Sequence, residues 1–324
     1  MLQNEFSKYP VSMVVTGLVE KRLSNKLHLE SVISSFIMFK NINPQNEIIV
    51  STYKDEIPKS LLKYIDRKII NSDPGPDIYM NHRWLFIKKS SGVLTSENYS
   101  RYFLTNYTGI KSCKNSLVVK ARIEMLPSDP ELFLKLLEQY LTYQVSSIPV
   151  MGFFTEHYSG VRFSVDGILG GIPGTVIFGT KKTLERLYFE SMTLWQNEKK
   201  RFTSRKHRHV ITAEQILGLN FLFLFLGFPL YSKLHKLSKY YVSIQLIRSI
   251  VIAEKKNFIF LNLKKSGFIM HKYQGTLFVK TPANIHKLTQ IQILTKFVIF
   301  LAKRYKHRLK KYIQALRVSK TKKQ

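Results

Sequence analysis

Residues 98–125 read NYSRYFLTNYTGIKSCKNSLVVKARIEM. Two periodicities meet in this stretch. Tyr99 to Cys113 suits a helix, with Arg101 and Thr105 four apart on one face and Gly109 eight residues after the arginine. Ser116 to Lys120, SLVVK, then reads as a buried strand. The strand runs into Lys120-Ala-Arg-Ile-Glu124, so it delivers two cations and an acid to its carboxyl end. That set suits a sugar nucleotide: Lys120 and Arg122 can meet a diphosphate, and Glu124 can hold a divalent metal. A solvated strand end with a salt-bridging glutamate is the plainer reading of the same residues.

Working outward, the upstream chain alternates strand and helix. Val11 to Gly17 is a first strand, Asn25 to Lys40 a helix, and Glu47 to Thr52 a second strand. Pro58 to Ile65 reads as a short helix and Lys68 to Asn71 as a short strand, before Asp73-Pro-Gly-Pro76 breaks the chain. Asp129 to Tyr143 is another helix. The alternation predicts a mixed, mostly parallel α/β sheet with helices on both faces. Ligands of such sheets sit at the carboxyl ends of the strands, here the loops after Thr16, Thr52, Asn71 and Lys120.

Downstream the pattern changes. Gly160, Gly167, Gly170, Gly171, Gly174 and Gly179 cluster, which predicts a long functional loop or a set of tight turns. Thr183 to Leu194 is helical and Trp195 to His209 reads as a basic connector. Thr212-Ala-Glu-Gln215 opens the next helix as a capping box. The apolar run Ile216 to Leu230 falls short of the ~20 residues a membrane span needs, and reads as a buried helix. Phe258 to Leu263 and Gly275 to Thr281 are candidate strands.

Composition bounds the class. The 324 residues are 44% hydrophobic and 13% aromatic, which is a folding composition. Cys113 is the lone cysteine, which excludes an intrachain disulfide framework and a multi-cysteine zinc site. MLQNEFSKYP has no apolar core of a signal peptide behind it, so an intracellular, soluble or peripheral chain is expected. The formal charge is +30, and it is not evenly spread: residues 1–195 carry +5 and residues 196–324 carry +25. So one-sided a field attracts polyanions: nucleic acid, an anionic membrane or a phosphorylated glycolipid. Residues 301–324 hold ten Lys/Arg and no acid, with Leu301, Tyr305, Leu309, Tyr312, Ile313 and Leu316 at helical spacing. That is an amphipathic basic helix of the kind that lies on an anionic membrane, although a terminal helix docked on its own domain shows the same stripe. There is no GxGxxG after a strand, no GxxxxGK[ST], no HExxH and no GxSxG.

The ordered set of pieces resembles the WavE family, enzymes of lipopolysaccharide core and capsular polysaccharide synthesis with a glycosyltransferase type A-like fold. Its V-x-G-x-V strand is similar to Val14-Val-Thr-Gly-Leu-Val19 and its E-I-I-x-S-T strand to Glu47-Ile-Ile-Val-Ser-Thr52. Its D-P-G is matched by Asp73-Pro-Gly75, and its N-x-x-R with T at +4 and G at +8 by Asn98, Arg101, Thr105 and Gly109. Its K-x-R-x-D is similar to Lys120-Ala-Arg-Ile-Glu124, its F-G-T to Phe178-Gly-Thr180, and its x-x-E-Q helix start to Glu214-Gln215. The match runs from about residue 11 to 220, and more loosely to about 275. Glu124 stands where the family has Asp, and Pro173-Gly174 where it has Ser-Asp, with Asp166 upstream as the nearest substitute. The chain is also longer between Gly75 and Asn98, as an inserted hairpin or loop would make it.

The resemblance implies a catalytic domain over residues 8–220, with a C-terminal extension of the same domain over 221–300; the basic amphipathic tail over 301–324 lies outside it. It implies transfer of a sugar from a nucleotide-sugar donor to a saccharide or glycolipid acceptor. Thr16 and Gly17 would admit the nucleotide close to the backbone, Asp73 would meet base or ribose, and Arg101, Lys120 and Arg122 would hold the diphosphate. Glu124 would bind Mg²⁺ or Mn²⁺, and Asp166 or Glu214 would take the acceptor's proton. The expected location is the cytoplasm, peripheral on the inner face of the cytoplasmic membrane through residues 301–324. Plainer explanations stand beside these: Glu214 suits the first turn of a helix electrostatically, and Asp73 before Pro-Gly is a turn former. A rival reading is a basic nucleic-acid-binding protein, disfavoured by the absence of an RNA-recognition, helix-turn-helix or zinc-finger pattern. Another is a catalytically degenerate, membrane-associated scaffold, for which Gly174 is the best evidence.

Overall fold

The architecture is that of a computed structural model, which describes residues 8–17, 26–53, 57–75, 78–81, 94–97, 99–144, 150–154, 176–203, 213–226, 258–262 and 268–270. The chain divides into two units, Met1–Ile285 and His286–Gln324, and every described residue belongs to the first. The basic tail and the candidate strand Gly275 to Thr281 lie outside the described residues.

Strand β1 (Val11–Thr16) pairs in parallel with β2 (Glu47–Thr52), and β2 with β3 (Arg67–Ile70). Helix α1 (Lys26–Ile42) connects the first pair and the single turn α2 (Lys59–Leu62) the second. Both β1 and β2 are buried along their whole length, as strands covered on two faces must be. β3 alternates half-buried and exposed residues and begins Arg-Lys, which suits the sheet edge it occupies.

The chain then leaves this side of the sheet. A two-stranded antiparallel ribbon, β4 (Ile78–Asn81) with β5 (Leu94–Glu97), fills the stretch where an insertion was expected. Helix α3 (Tyr99–Lys111) follows, and β6 (Leu117–Arg122) pairs in parallel with the other edge of β1. β7 (Met125–Pro127) turns back against the end of β6. Helix α4 (Pro130–Gln144) leads to β8 (Val150–Phe154), and β9 (Ile177–Thr180) runs antiparallel between β8 and β6. Helices α5 (Lys181–Thr203) and α6 (Ala213–Leu226) precede β10 (Phe258–Asn262) beside β8, and β11 (Phe268–Met270) pairs with β7.

The main order is β10-β8-β9-β6-β1-β2-β3. Six of these seven strands run one way and β9 runs the other. The sheet is therefore mixed and mostly parallel, as the alternation predicts.

One core lies between the sheet and α1 with α4, where Val11, Met13, Val15, Val119 and Ala121 meet Phe36, Phe39, Phe133 and Tyr140. Phe39 and Phe133 join the two helices edge to face at 5.5 Å, and Tyr140 meets Phe178 of β9 at 4.6 Å. Each fully buried Phe of this kind contributes about 1.5–3 kcal/mol. Helices α3 and α5 cover the other face, linked by Tyr99 against Trp195 at 4.7 Å. Asn220 of α6 donates to Ser191 Oγ of α5 at 2.8 Å, so the polar residue inside the apolar run is satisfied between helices.

The larger departures from the sequence reading fall in α5, β6, β8 and β9. α5 extends to Thr203, so much of the expected connector is helix; Gln, Glu, Lys and Arg after Trp195 are strong helix formers. β6 continues two residues past Lys120, because β1 offers partners as far as Thr16 opposite Arg122. β8 and β9 are not legible in the sequence, because each is short and carries a glycine that weakens a strand signal. Among the described residues no helix is long and apolar enough to cross a membrane.

Candidate functional site

The strand order reverses between β1 and β6. From β1 the chain steps outward to β2 and β3, then returns to add β6 on the opposite side. Ligands of open α/β sheets bind at the carboxyl ends of the strands beside such a reversal. Thr16, Gly17, Arg122 and Glu124 meet at this point.

Thr16 ends β1 and is buried; its Oγ1 lies 3.5 Å from Asn106 Oδ1 on α3, and its carbonyl accepts from Ile123 N at 3.0 Å. That backbone bond pins the turn after β6 over the end of β1. Gly17 has φ +129°, a region that L side chains rarely adopt. A Cβ on Gly17 would lie 3.4 Å from Ile123 Cγ2 and 3.8 Å from Glu124 Oε2. The glycine therefore sits directly against the glutamate's carboxylate.

Arg122 and Glu124 form an ion pair at 2.8 Å, Nη2 to Oε1. The two side chains differ sharply in burial: Arg122 is 29% exposed and Glu124 is 1% exposed. Lys120 sits elsewhere. It shares a face with Arg122 but lies two residues deeper, fully buried beneath α3, with Nζ 5.0 Å from the centre of the Tyr102 ring. The sequence grouped Lys120 with Arg122; the structure separates an interior cation from one at the mouth. Tyr102 in turn meets Tyr188 of α5, hydroxyl to hydroxyl, at 3.3 Å.

Asp73 and Arg101, assigned separately from the sequence, clasp each other. Arg101 Nε donates to Asp73 Oδ1 and Nη2 to Oδ2, both at 2.6 Å. Asp73 Oδ1 also accepts from Gly75 N at 3.0 Å, and the guanidinium lies 4.8 Å from the centre of the Tyr53 ring. This cluster ties the start of α3 to the loops after β2 and β3. Thr105 Oγ1 donates to Arg101 O at 2.8 Å, so the Arg-Thr spacing serves the helix itself.

Gly109 has a different purpose. A Cβ there would lie 2.5 Å from Val14 Cγ1 and 3.1 Å from Ser51 Cβ. The glycine lets α3 approach β1 and β2 closely. Beside it, Ser51 Oγ lies 3.2 Å from Thr108 Oγ1 and accepts from Asn71 Nδ2 at 3.1 Å.

Glu214 stands in the first turn of α6, with its side chain outside the described residues, and Asp166 lies outside them altogether with the glycine-rich segment. Among the described residues no group of three His, Cys, Asp or Glu converges on a metal position. Glu124 supplies one carboxylate, which fits a Mg²⁺-type ion that takes its other ligands from phosphate oxygens and water. Sequence reasoning missed Tyr53, Tyr102 and Asn106. Tyr102 and Asn106 carry a signal in their four-residue spacing on the sheet-facing stripe of α3; Tyr53 has none.

A groove of about 540 Å³, lined by Tyr107, Phe189, Lys181, Lys182 and Arg186 among others, lies at the opposite end of the sheet. It is bounded by Ser116 before β6 and Thr180 at the end of β9, so it is remote from the carboxyl ends of β1 and β6.

No family model matches the chain, and no curated protein matches it. Solved structures similar to it include glucosyl-3-phosphoglycerate synthase from Mycobacterium tuberculosis in complex with Mn²⁺, UDP-glucose and phosphoglyceric acid. The two share 14% identity over 56% of this chain and 60% of that one, with a TM-score of 0.34. The glycosyltransferase GlyE of Streptococcus pneumoniae shares 14% identity over 67% of this chain and 44% of its own, with a TM-score of 0.36. Mannose-1-phosphate geranyltransferase from Thermus thermophilus shares 9% identity over 64% of this chain and 67% of its own, with a TM-score of 0.32. The chain spans less than two thirds of the length of the first two.

Proposed function

We propose that this chain is a nucleotide-sugar-dependent glycosyltransferase acting in lipopolysaccharide or capsular polysaccharide assembly. The observation that carries the reading is the meeting of Gly17 with the Arg122–Glu124 pair at the β1–β6 switch point. The resemblance of the ordered motifs to the WavE family supplies the class of product.

In this reading the side-chain-free surface of Gly17 admits the donor's diphosphate close to the backbone. Arg122 meets the diphosphate and stabilises the charge that grows on it as the sugar leaves. Lys120 contributes positive potential from below without touching the ligand. The Asp73–Arg101–Tyr53 cluster borders the nucleoside, with polar groups for base and ribose and an aromatic face. Glu124 would hold Mg²⁺ or Mn²⁺, which when bound would add to the neutralisation of the diphosphate. Glu214 or Asp166 takes the proton from the acceptor hydroxyl, a saccharide or glycolipid. The +25 charge of residues 196–324 and the amphipathic pattern of residues 301–324 support attachment to the anionic inner face of the cytoplasmic membrane.

The test is a thermal-shift screen of the full chain against a nucleotide-sugar panel, with and without Mn²⁺. A ligand at 100 times its Kd adds about 2.7 kcal/mol of stability, which is readily seen in Tm. One donor class should raise Tm, and Glu124→Ala should abolish the metal-dependent part. A folded chain that no donor stabilises, and that binds anionic vesicles or RNA, overturns the reading in favour of a scaffold or a nucleic-acid-binding protein.

A further inference from the structure

We infer that the groove between α3 and α5 is a second binding site, and that it takes an acidic saccharide. The proposal stands on the groove itself, apart from the transferase reading. Tyr107 of α3 and Phe189 of α5 form one wall, their ring centres 5.3 Å apart and their planes at 45°. Phe189 is 43% exposed, so part of its ring is open to a ligand. Lys182, Arg186 and Phe189 recur at spacings of four and three along one stripe of α5, and all three are exposed. Lys181 and Glu185 complete this side of the groove. From α3, Lys111 holds its Nζ 5.7 Å from the centre of the Tyr107 ring.

None of these cations has to be bare. Lys181 donates to the Cys113 carbonyl at 2.6 Å, which leaves its charge uncancelled because a carbonyl is neutral. Arg186 has an interaction of its own. Even with Arg186 and Glu185 set against each other, Lys111, Lys181 and Lys182 leave the described part of the groove positive. Shape and chemistry then choose among anions. A volume of about 540 Å³ is that of a small-molecule site and not of a track for a long strand. Single-stranded nucleic acid needs successive rings for successive bases, whereas Tyr107 and Phe189 lie against each other as one platform. A bilayer presents a flat face, which a ring on the wall of a groove does not meet. A short acidic saccharide satisfies every part. Its C–H face packs on an aromatic ring, its carboxylates or phosphates meet Lys182 and Arg186, and its hydroxyls reach the exposed Ser116. The groove lies one length of β6 from Arg122, six residues or about 20 Å. A glycan held here is gripped well away from any sugar acted on at the carboxyl ends of the strands.

The experiment is calorimetric titration of the full chain with tetragalacturonate at physiological ionic strength, with neutral maltotetraose and inorganic phosphate as comparisons. Tetragalacturonate should bind, and maltotetraose and phosphate should each bind at least about tenfold more weakly. Phe189→Ala, and separately Lys182→Gln combined with Arg186→Gln, should each weaken tetragalacturonate binding at least about tenfold. Circular dichroism checks that each variant is folded. Phe189→Leu, which keeps bulk without a ring, replaces the first variant if it is not, and Lys182→Gln alone replaces the second. No binding of tetragalacturonate, or equal binding of maltotetraose or of phosphate, overturns the inference. Wild-type affinity in either variant also overturns it, because the saccharide then sits on another basic stretch such as residues 301–324. Tighter binding of oligo-dT or of phosphatidylglycerol vesicles that is lost in Phe189→Ala overturns it in favour of a nucleic acid or a membrane. No nucleotide enters the titration, so its failure and the failure of the transferase reading are seen separately.

Discussion

At the residue scale, glycines and charges of identical type serve different ends. Gly17 is set by its backbone angle and its contact with Glu124, whereas Gly109 is set by helix-to-sheet distance. The two would respond differently to the same change. Gly109→Ala adds a methyl 2.5 Å from Val14 Cγ1, in a region where β1 is fully buried. The gain in helix propensity is smaller than the overpacking it causes, so a net loss of about 1–3 kcal/mol is expected. Urea denaturation should show the midpoint falling with an unchanged slope. Lys120 and Arg122 make the same point about charge. One is buried against Tyr102 and the other stands at the mouth with Glu124, though two residues separate them on one strand.

At the scale of elements, α3 is the piece that ties together the carboxyl ends of β1, β2 and β3. Its first turn is anchored by Arg101 to Asp73, its middle by Asn106 to the end of β1, and its last turn by Gly109 against Val14 and Ser51. Thr105 and Thr108 return their hydroxyls to the carbonyls of Arg101 and Leu104, so polar residues on the helix are satisfied within it. The Asp73–Arg101 pair is partly solvated, 37% and 21% exposed. Such pairs contribute about 1 kcal/mol or less to stability. Asp73→Asn should thus leave the unfolding free energy nearly unchanged. Nucleotide affinity should fall by about tenfold, the equivalent of about 1.4 kcal/mol. Calorimetric titration beside a denaturation curve separates the two effects, and equal losses in both would make the cluster structural only.

At the scale of the whole molecule, charge and pH act on the chain as one body. Burial, and then the nearby Glu47 carboxylate, push the Cys113 thiol from 9.0 up to about 12. Burial also drives the Tyr140 hydroxyl upward from 10.0. In both cases the native state keeps a proton that the unfolded chain releases. Stability is therefore undiminished below pH 9 and lost as pH rises from 9 toward 12, at up to about 1.4 kcal/mol per pH unit for Cys113. Tyr140 adds to the slope above pH 10. Denaturation midpoints across pH 8–11 should show that decline, and Cys113→Ser should remove its earlier part. Neutralising the Lys and Arg residues of 301–324 should separate two other properties. Binding to anionic vesicles should weaken and lose its salt dependence, while Tm shifts with nucleotide should stay as they were.

The sequence by itself determined the alternating strands and helices on the amino-terminal side, the apolar runs of β1, β2 and β6, the closeness of Gly17 and Glu124 to strand ends, and the one-sided charge. These are local properties: periodicity, composition and the side-chain preferences of strand ends act over a few residues. Only the tertiary structure decided that β9 runs against its neighbours, that β6 returns to the far side of β1, that Asp73 grips Arg101 across 28 residues, and that Lys120 is interior while Arg122 is not. Each depends on which distant segment comes to lie alongside. The free energy that settles it, burial of apolar surface and pairing of charges across the sheet, is spread over partners that no local pattern records.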